Sequence, residues 1–599
     1  MNILSVFWGF PSCAALLQDG RLTRAVSEER FSRTKNDERL PLESIRYCLE
    51  GVKNGAAGLD YVAIAGASQD YWYTLKRKSS WSIEDYITEQ REYWHPKLIE
   101  GKDVHPSAYL SERFDYAQYP EAFWEASKAE PSMVENFASV HMPRIIAEAV
   151  GVQEEKIRIM DHHRSHACYG YYTGPLRAEK DGPVLSLTID GWGDGCNATI
   201  YRFDGNSKGE RLFASQDAFI GRIYRYITLV LGMKPNEHEY KVMGLAPYCK
   251  APIARKAYEV FASTLYVDGL DFKWKIKPTD SYYWFKERLE GCRFDGIAAG
   301  LQRWTEELVT TWVDNAVKTF GIDQVCLSGG VAMNVKANGL VGALDSVKRL
   351  HVPGSAGDDS LALGAAYALT EDLGEESGTW DTRKVHPQPH LYLGPVRPRD
   401  EEDALVKGLA SEHYEIIENY SPDHVADLLE AGRAIARCAG NMEFGQRALG
   451  NRSILADPIH LDIVPKINQA IKNRDFWMPF APIVMDTFAD RYLVNEKKLD
   501  APFMTLAFPT TSEGWAALPA GCHQADHTAR AQILTRDVNP ELYAILESFA
   551  RKTGRGALLN TSFNLHGYPI VNSVKDAMHV FENSGLDALV LEKFIIYKR

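Results

Sequence analysis

Three histidines fall within five positions in the stretch DHHRSHACYGYY, which begins at Asp161. His162 and His166 stand four apart, and on a helix that spacing sets both imidazoles on one face, about 5–6 Å apart at Cβ. Two nitrogen donors so placed can grip one divalent ion, whereas His163 points elsewhere on the same helix. The pair by itself is evenly matched by a plainer reading, buried histidines hydrogen-bonded to backbone, because two ligands seldom complete a site. Other donors come from further along. Asp190 ends the apolar run VLSLTID before Gly191, at the carboxyl edge where α/β sheets hold their ligands. Asp358 and Asp359 follow in GSAGDDS just before a helix; each could serve as a turn residue or N-cap, a role that Asp359 fits well. Two imidazoles with one or two carboxylates suit Fe, Zn or Mn. Together His162, His166, Asp190 and Asp358 favour a metal site.

Two further groups suggest anion chemistry. LSGGVAMNVKAN places Ser328, Gly329 and Gly330 at a strand-to-helix turn, with Asn334 at the helix start. Such a turn offers backbone N–H groups and a positive helix end to phosphate. Plain strand–helix turns outnumber phosphate turns, so the motif gains weight only from its neighbours, and no G-x-x-x-x-G-K-[ST] run is present to make a P-loop. In the last third, GNMEFGQRALGNRSILADP, KNRDFWMPFAP, HTARAQ and LLNTSFNLHGYPIV set Arg447, Arg452, Lys472, Arg474 and Arg530 in or beside turns. A guanidinium fork binds phosphate or carboxylate bidentately. A whole series of this kind points to a small anionic substrate rather than to scattered surface ion pairs. No G-x-S-x-G elbow occurs, which counts against a nucleophilic hydrolase.

The elements that must position these groups read as α/β. NILSVFW, LDYVAIAGA, VLSLTID and QVCLS are strand-like, and repeated strand, glycine turn and helix units indicate parallel components. Trp, Tyr, Lys and Glu dominate from about Gln69 to Pro131, the mark of a helical insertion whose aromatic faces form a small core more readily than a substrate wall. A polar, Pro- and Gly-containing stretch from Leu373 to Pro395 divides the 599 residues into expected domains 1–385 and 386–599. A net charge of −13 argues against a broad nucleic-acid face. The nine cysteines are scattered, the start lacks a basic signal-peptide region, and no apolar run has membrane-spanning length. These features predict a soluble, cytoplasmic protein.

Taken in order, SEERFSRTKND, DHHRSHA, TIDGWGDG, KVMGLAPY, LSGGVAMNVKAN, GDDSLALGAA, MEFGQRALGNRSILADP, KNRDFWMPFAP and LLNTSFNLHGYPIV carry a resemblance over nearly the whole chain. The sequence resembles the NodU/CmcH-type O-carbamoyltransferases, the group of the tobramycin and cephem carbamoyltransferases. That resemblance implies an N-terminal domain of the actin/Hsp70/sugar-kinase class, related to the transferase of tRNA threonylcarbamoylation, followed by a YrdC-like domain. It implies that carbamoyl phosphate and ATP give carbamoyladenylate and pyrophosphate in the second domain. The carbamoyl group then passes to a hydroxyl of a small acceptor, a sugar or natural product, in the first. A metal, commonly Fe2+, is implied on His162, His166, Asp190 and Asp358, with Mg2+ accompanying ATP. Ser328, Gly329, Gly330 and Asn334 match the nucleotide stretch of the first domain. Arg447, Lys472 and Arg530 match the residues that hold carbamoyl phosphate, with Arg452, Arg474, Asn560 and Ser562 beside them as nucleotide contacts.

Three positions depart from the family pattern. Phe10 and Pro11 stand where many members carry His-Asp, Asn36 replaces a second histidine, and Met478 stands where some relatives have arginine. The group that accepts the hydroxyl proton is therefore unassigned, with His163 and His238 as weak candidates. Two other readings keep the same domains. Action in tRNA threonylcarbamoylation is disfavoured by the acidic balance, and a non-catalytic module binding nucleotide and carbamoyl phosphate is opposed by the intact metal set. The acceptor and the oligomeric state, homodimer or otherwise, are not read from the sequence.

Overall fold

The computed structural model describes residues 1–66, 81–104, 137–205, 207–379, 381, 384–396, 399–409, 412–472 and 475–599. Arg474 and most of the expected aromatic insertion lie outside the described residues; the described part of the insertion, 81–104, is helical over Ile83–Ile99. The chain divides into two compact units, Met1–Glu29 with Asn36–Gln388, and Arg30–Lys35 with Pro389–Arg599. No helix among the described residues is long and apolar enough to cross a membrane.

The first unit holds two five-stranded sheets built to one plan. In the first sheet β1 (Asn2–Phe7), β2 (Cys13–Gln18), β3 (Arg21–Ser27), β4 (Tyr61–Ala65) and β5 (Ile157–Met160) run in the order β3-β2-β1-β4-β5. The first three strands pair antiparallel, and β4 and β5 add in parallel. In the second sheet β6 (Val184–Gly193), β7 (Cys196–Phe203) and β8 (Glu210–Ser215) repeat the antiparallel meander. The strands that follow them, β11 (Gln324–Ser328) and β12 (Arg349–His351), repeat the parallel addition, in the order β8-β7-β6-β11-β12. A small hairpin, β9 (Leu265–Asp268) and β10 (Asp271–Trp274), stands apart. With helices packed on both sheets, the first unit is α/β with parallel components, as the sequence led us to expect.

Two helices fill the space between these sheets. His162–Tyr172 lies on β6, β7 and β11, Leu361–Glu376 lies on β1, β2 and β4, and the helices pack on each other. The second is LALGAAYALTEDLGEE, and its first eleven residues are all buried, which accounts for apolar residues all round. Its Gly364 is obligatory: a Cβ there would stand 1.9 Å from the Ser165 carbonyl oxygen. The close approach brings the late GSAGDDS loop to the start of the histidine helix.

The second unit is also α/β, built on one mixed eight-stranded sheet. Its strands are β13 (Tyr414–Glu418), β14 (Ile435–Cys438), β15 (Arg452–Ala456), β16 (Ala481–Met485), β19 (Gln532–Leu534), β20 (Ala557–Ser562), β21 (Ala588–Val590) and β22 (Phe594–Lys598). They run in the order β13-β22-β21-β14-β15-β20-β16-β19, and a two-stranded pair, β17 (Phe508–Pro509) with β18 (Thr528–Ala529), lies outside the sheet. Strand side chains alternate between faces. Leu455 and Leu558 join the helices Pro422–Glu430 and Pro540–Thr553 on one face, while Ile454 and Leu559 join Val574–Glu582 and Ile463–Ile467 on the other.

Candidate functional site

The histidine stretch forms the helix His162–Tyr172, started by Asp161, whose carboxylate accepts from the Arg164 N–H at 2.7 Å. That cap fixes His162 in the first turn and His166 one turn on. Asp190 reaches the same point from β6, and Asp358 from the single turn Asp358–Ser360 that precedes Leu361–Glu376. His166 Nε2 lies 3.1 Å from Asp190 Oδ2 and 3.4 Å from Asp358 Oδ1; His162 Nε2 lies 3.8 and 3.7 Å from the same two oxygens. The four donor atoms all fall within 4.8 Å of one another. Ligands bonded to one ion at about 2.0–2.2 Å stand about 3.0–3.5 Å apart at right-angle to tetrahedral spacing. The observed separations are close to that range.

Glycines make room for the cluster. A Cβ at Gly193 would stand 2.3 Å from the His162 ring, and one at Gly329, where φ is +93°, would stand 2.3 Å from the Ile189 carbonyl oxygen. The Gly329 contact brings the turn after β11 against the end of β6, so that the Gly330 N–H donates to Asp190 Oδ2 at 2.8 Å. The second Asp190 oxygen accepts from the Gly191 N–H. Asp190 is thus oriented by two amides before any ion is considered. The His162 N–H is held in turn by Asp194 Oδ2 at 2.7 Å.

The electrostatics are those of a site that wants a cation. Burial works against charge on His166, but Asp190 and Asp358 beside it outweigh burial and push its imidazole up to about 9. His162 is raised by the same balance. Burial would raise Asp190, yet the two imidazoles hold it well below the usual carboxylate range, while burial and the Asp190 charge raise Asp358. His162 Nε2, His166 Nε2 and Asp358 Oδ1 are buried without a hydrogen-bond partner among the described residues. Orphaned polar atoms of this kind are costly unless something fills the space between them. A divalent ion satisfies all three, so the donors present fit one.

His163 faces away, into the second sheet. Its Nδ1 lies 2.7 Å from Thr188 Oγ1 and its Nε2 lies 3.0 Å from the Cys196 carbonyl oxygen. Burial, with the two neighbouring histidines, lowers it to about 3, so it is a neutral ring with both nitrogens in use. Asp359 is buried and takes a hydrogen bond from the Ser355 hydroxyl; burial pushes it up to about 7. Ser328 is buried and donates to the His166 carbonyl at 2.8 Å, tying β11 to the histidine helix. Asn334 caps Val335–Ala343 through the Ala337 N–H and exchanges two amide hydrogen bonds, each of 3.0 Å, with Gln302. Phe10 and Pro11 follow β1, and the backbone N–H of Asn36 donates to Glu29 Oε2 at 2.7 Å.

In the second unit the predicted residues fall on neighbouring strands and their turns. Arg452 opens β15, Asn560 and Ser562 lie on β20, Arg447 is half-buried in the turn before β15, and Arg530 is half-buried just before β19. Lys472 ends the turn Asn468–Lys472, and its side chain lies outside the described residues. Register sets Ser562 opposite Ser453 and Asn560 opposite Leu455, so these two share one face while Arg452 takes the other. The sheet does not bring all of them together. Arg452 is fully buried: its Nη1 donates to the carbonyls of Ala439, Gly440 and Asn451, but Nε and Nη2 have no partner among the described residues. Asn560 donates to the Ala448 carbonyl at 2.8 Å.

One important residue went unread. The Glu443 carboxylate accepts the N–H groups of Leu449, Asn451 and Arg452 at 2.8, 2.7 and 3.1 Å, folding the turn that carries Arg447. A lone acidic residue beside the G-x-R-x-x-G-x-R run was the only local sign of it.

Comparison with known proteins bears on the whole chain. The sequence model described as Carbamoyltransferase N-terminus matches residues 4–367, and that described as Carbamoyltransferase C-terminus matches residues 426–598. The chain is 30% identical over 599 residues to "Nodulation protein NolNO" of Sinorhizobium fredii, covering 98% of this chain and 78% of that protein. It is 30% identical over 470 residues to "3'-hydroxymethylcephem-O-carbamoyltransferase" of Amycolatopsis lactamdurans, covering 76% of this chain and 83% of that one. An uncharacterized protein of Methanocaldococcus jannaschii is 31% identical over 464 residues, 74% of each chain. The protein belongs to the carbamoyltransferase family and is a transferase.

Proposed function

We propose that the protein is an ATP-dependent O-carbamoyltransferase that works in two steps. In the first, carbamoyl phosphate gives up its phosphate to water, and the resulting carbamate oxygen attacks the α-phosphorus of ATP; carbamoyladenylate forms and pyrophosphate leaves. In the second, the hydroxyl of a small acceptor attacks the carbamoyl carbon and AMP departs with the bridging oxygen. A carbamate is a poor electrophile, and attaching AMP supplies its leaving group. We assign the first step to the second unit, as a YrdC-like domain. Arg447, Lys472 and Arg530 hold carbamoyl phosphate there, with Arg452, Arg474, Asn560 and Ser562 at the nucleotide. The second step falls to the first unit, with the turn of Ser328, Gly329, Gly330 and Asn334 toward the nucleotide.

The observation that carries this reading is the buried set of His162, His166, Asp190 and Asp358 in a chain matched by both carbamoyltransferase models. Those four residues would hold a divalent metal, Fe2+ by family likeness. When bound, such an ion supplies charge neutralisation at phosphate and orientation of the leaving group. The protein's own part is to keep the imidazoles and carboxylates turned inward and to anchor Asp190 through the Gly330 amide. Phe10 and Pro11 offer no proton acceptor where many relatives have one.

Incubation with ATP, carbamoyl phosphate and Fe2+ or Mg2+, followed by mass spectrometry for carbamoyladenylate and pyrophosphate, tests the first step without knowledge of the acceptor. Arg530→Ala should weaken carbamoyl phosphate use by about 10–100-fold, the worth of one charge-assisted contact. Unchanged kinetics remove Arg530 from the site. Absence of adenylate and pyrophosphate under any metal defeats the activation step.

A further inference from the structure

Six residues from the start of the chain, Arg30–Lys35, fold as part of the second unit. Two of them grip the backbone of the turns on which its predicted binding residues ride. Arg30 is buried, and its Nη2 donates to the Gly445 carbonyl at 2.6 Å. Gly445 has φ +92° and lies two residues before Arg447. Fixing that carbonyl fixes the plane of the Gly445–Gln446 peptide, and with it the course of the chain into Arg447. Glu443 holds the far side of the same turn through Leu449, Asn451 and Arg452.

Arg33 does the same for the second turn. Its Nη1 donates to the Ile570 carbonyl at 2.8 Å and its Nη2 to the Pro569 carbonyl at 3.0 Å, with Asp576 Oδ1 3.7 Å from its Nε. Those carbonyls close the loop that leaves β20 after Asn560 and Ser562, a loop also pinned by Asn564 donating to Leu565 and Tyr568. Arg33 itself has φ +58°, a backbone conformation that arginine seldom adopts and that the surroundings must hold in place. A planar guanidinium suits this task because its fixed fork reaches two carbonyls at once.

We propose that Arg30 and Arg33 are positioning residues of the second unit. Through Gly445 and through Pro569 and Ile570 they set the turns that present Arg447 to carbamoyl phosphate and the Asn560–Ser562 strand end to the nucleotide. The use of carbamoyl phosphate as the reporter rests on the activation step proposed above.

The test uses the full-length protein with Arg30→Ala, Arg30→Lys and Arg33→Ala, and Arg303→Ala as a control in an exposed helical ion pair with Glu307. Pyrophosphate release at varied carbamoyl phosphate gives KM and kcat, and amide hydrogen exchange is followed in 442–451 and 563–572. Arg30→Ala should raise KM about tenfold or more, the loss of one buried charge-assisted hydrogen bond, with kcat changed less than about threefold. Exchange should quicken in 442–451 and stay as in the wild type in 563–572. Arg33→Ala should show the reverse pattern of exchange. Arg30→Lys keeps the charge without the fork, should fall between, and carries the same test if the alanine variant does not fold. An unchanged KM, or exchange that quickens equally in both turns, overturns the proposal. If the wild type releases no pyrophosphate, the activation step fails while the exchange measurements still decide the positioning role.

Discussion

Gly193→Ala offers a sharp test of how the proposed metal site is held. Gly193 ends β6, and a Cβ there would meet the His162 ring at 2.3 Å from Cδ2 and Cγ and 2.6 Å from Nδ1. Carbon atoms settle at about 3.5–4.0 Å, so the imidazole must retreat by about 1 Å. Metal bonds tolerate displacements of only about 0.2 Å. The added methyl therefore removes His162 as a donor without touching its chemistry, at an overpacking cost of about 1–3 kcal/mol. Loss of even an outer-shell partner lowers metal affinity about 10–100-fold, and loss of a ligand should cost at least that much. Gly193→Ala and His162→Ala should then match within about threefold when apo protein is titrated with Zn2+ or, anaerobically, with Fe2+ against a chromophoric chelator. Gly191→Ala is the control: it stands next to Asp190, yet beyond its two chain neighbours no atom of the described residues lies within 4 Å of its Cβ position. Its affinity should equal that of the wild type. Wild-type affinity in Gly193→Ala, or equal damage in Gly191→Ala, refutes the argument that steric room for one ring decides binding.

Metal removal gives a second expectation. Saturating ion at about 100 times its Kd stabilises the folded chain by about 2.7 kcal/mol, so chelation should lower Tm reversibly, and His162→Ala should abolish the difference. Glu443→Ala leaves three buried amides without an acceptor and should cost about 3 kcal/mol or more, read from the urea midpoint. His351, on β12, is buried with Nε2 unpartnered among the described residues, and burial with the nearby Arg177 charge lowers it to about 3. Unfolded, it protonates near its ordinary value of about 6.5, so between these values the unfolded chain binds more protons and stability falls as pH drops. His351→Leu should flatten that fall in urea midpoints compared at pH 7.5 and 5; an unchanged slope clears His351 of it.

The two sites differ in how far local rules reach. Each residue of the four-residue cluster sits where a local rule marks it: His162 and His166 by helical spacing, Asp190 at a strand end, Asp358 in the turn before a helix. Their convergence was legible because helix and strand geometry are local, and only the glycines that make room, Gly193, Gly329 and Gly364, needed the packed structure to explain them. The shared plan of the two five-stranded sheets was not legible. Strand order depends on pairing between distant segments, and apolar runs as different as NILSVF and VLSLTIDGWG can occupy equivalent places. Partners across long gaps were hidden for the same reason. Asn334 read as a motif residue at a helix start, but its amide is paired with Gln302, thirty-two positions earlier. Arg30 and Arg33 lie in SEERFSRTKND near the start of the chain, yet their carbonyl partners are 415 and more than 530 positions away. Capture of a carbonyl by a distant arginine leaves no period in the sequence. Substitutions in the histidine–aspartate cluster should accordingly act through the replaced side chain or its steric room, whereas those in the second unit should act through backbone carbonyls far from the residue exchanged.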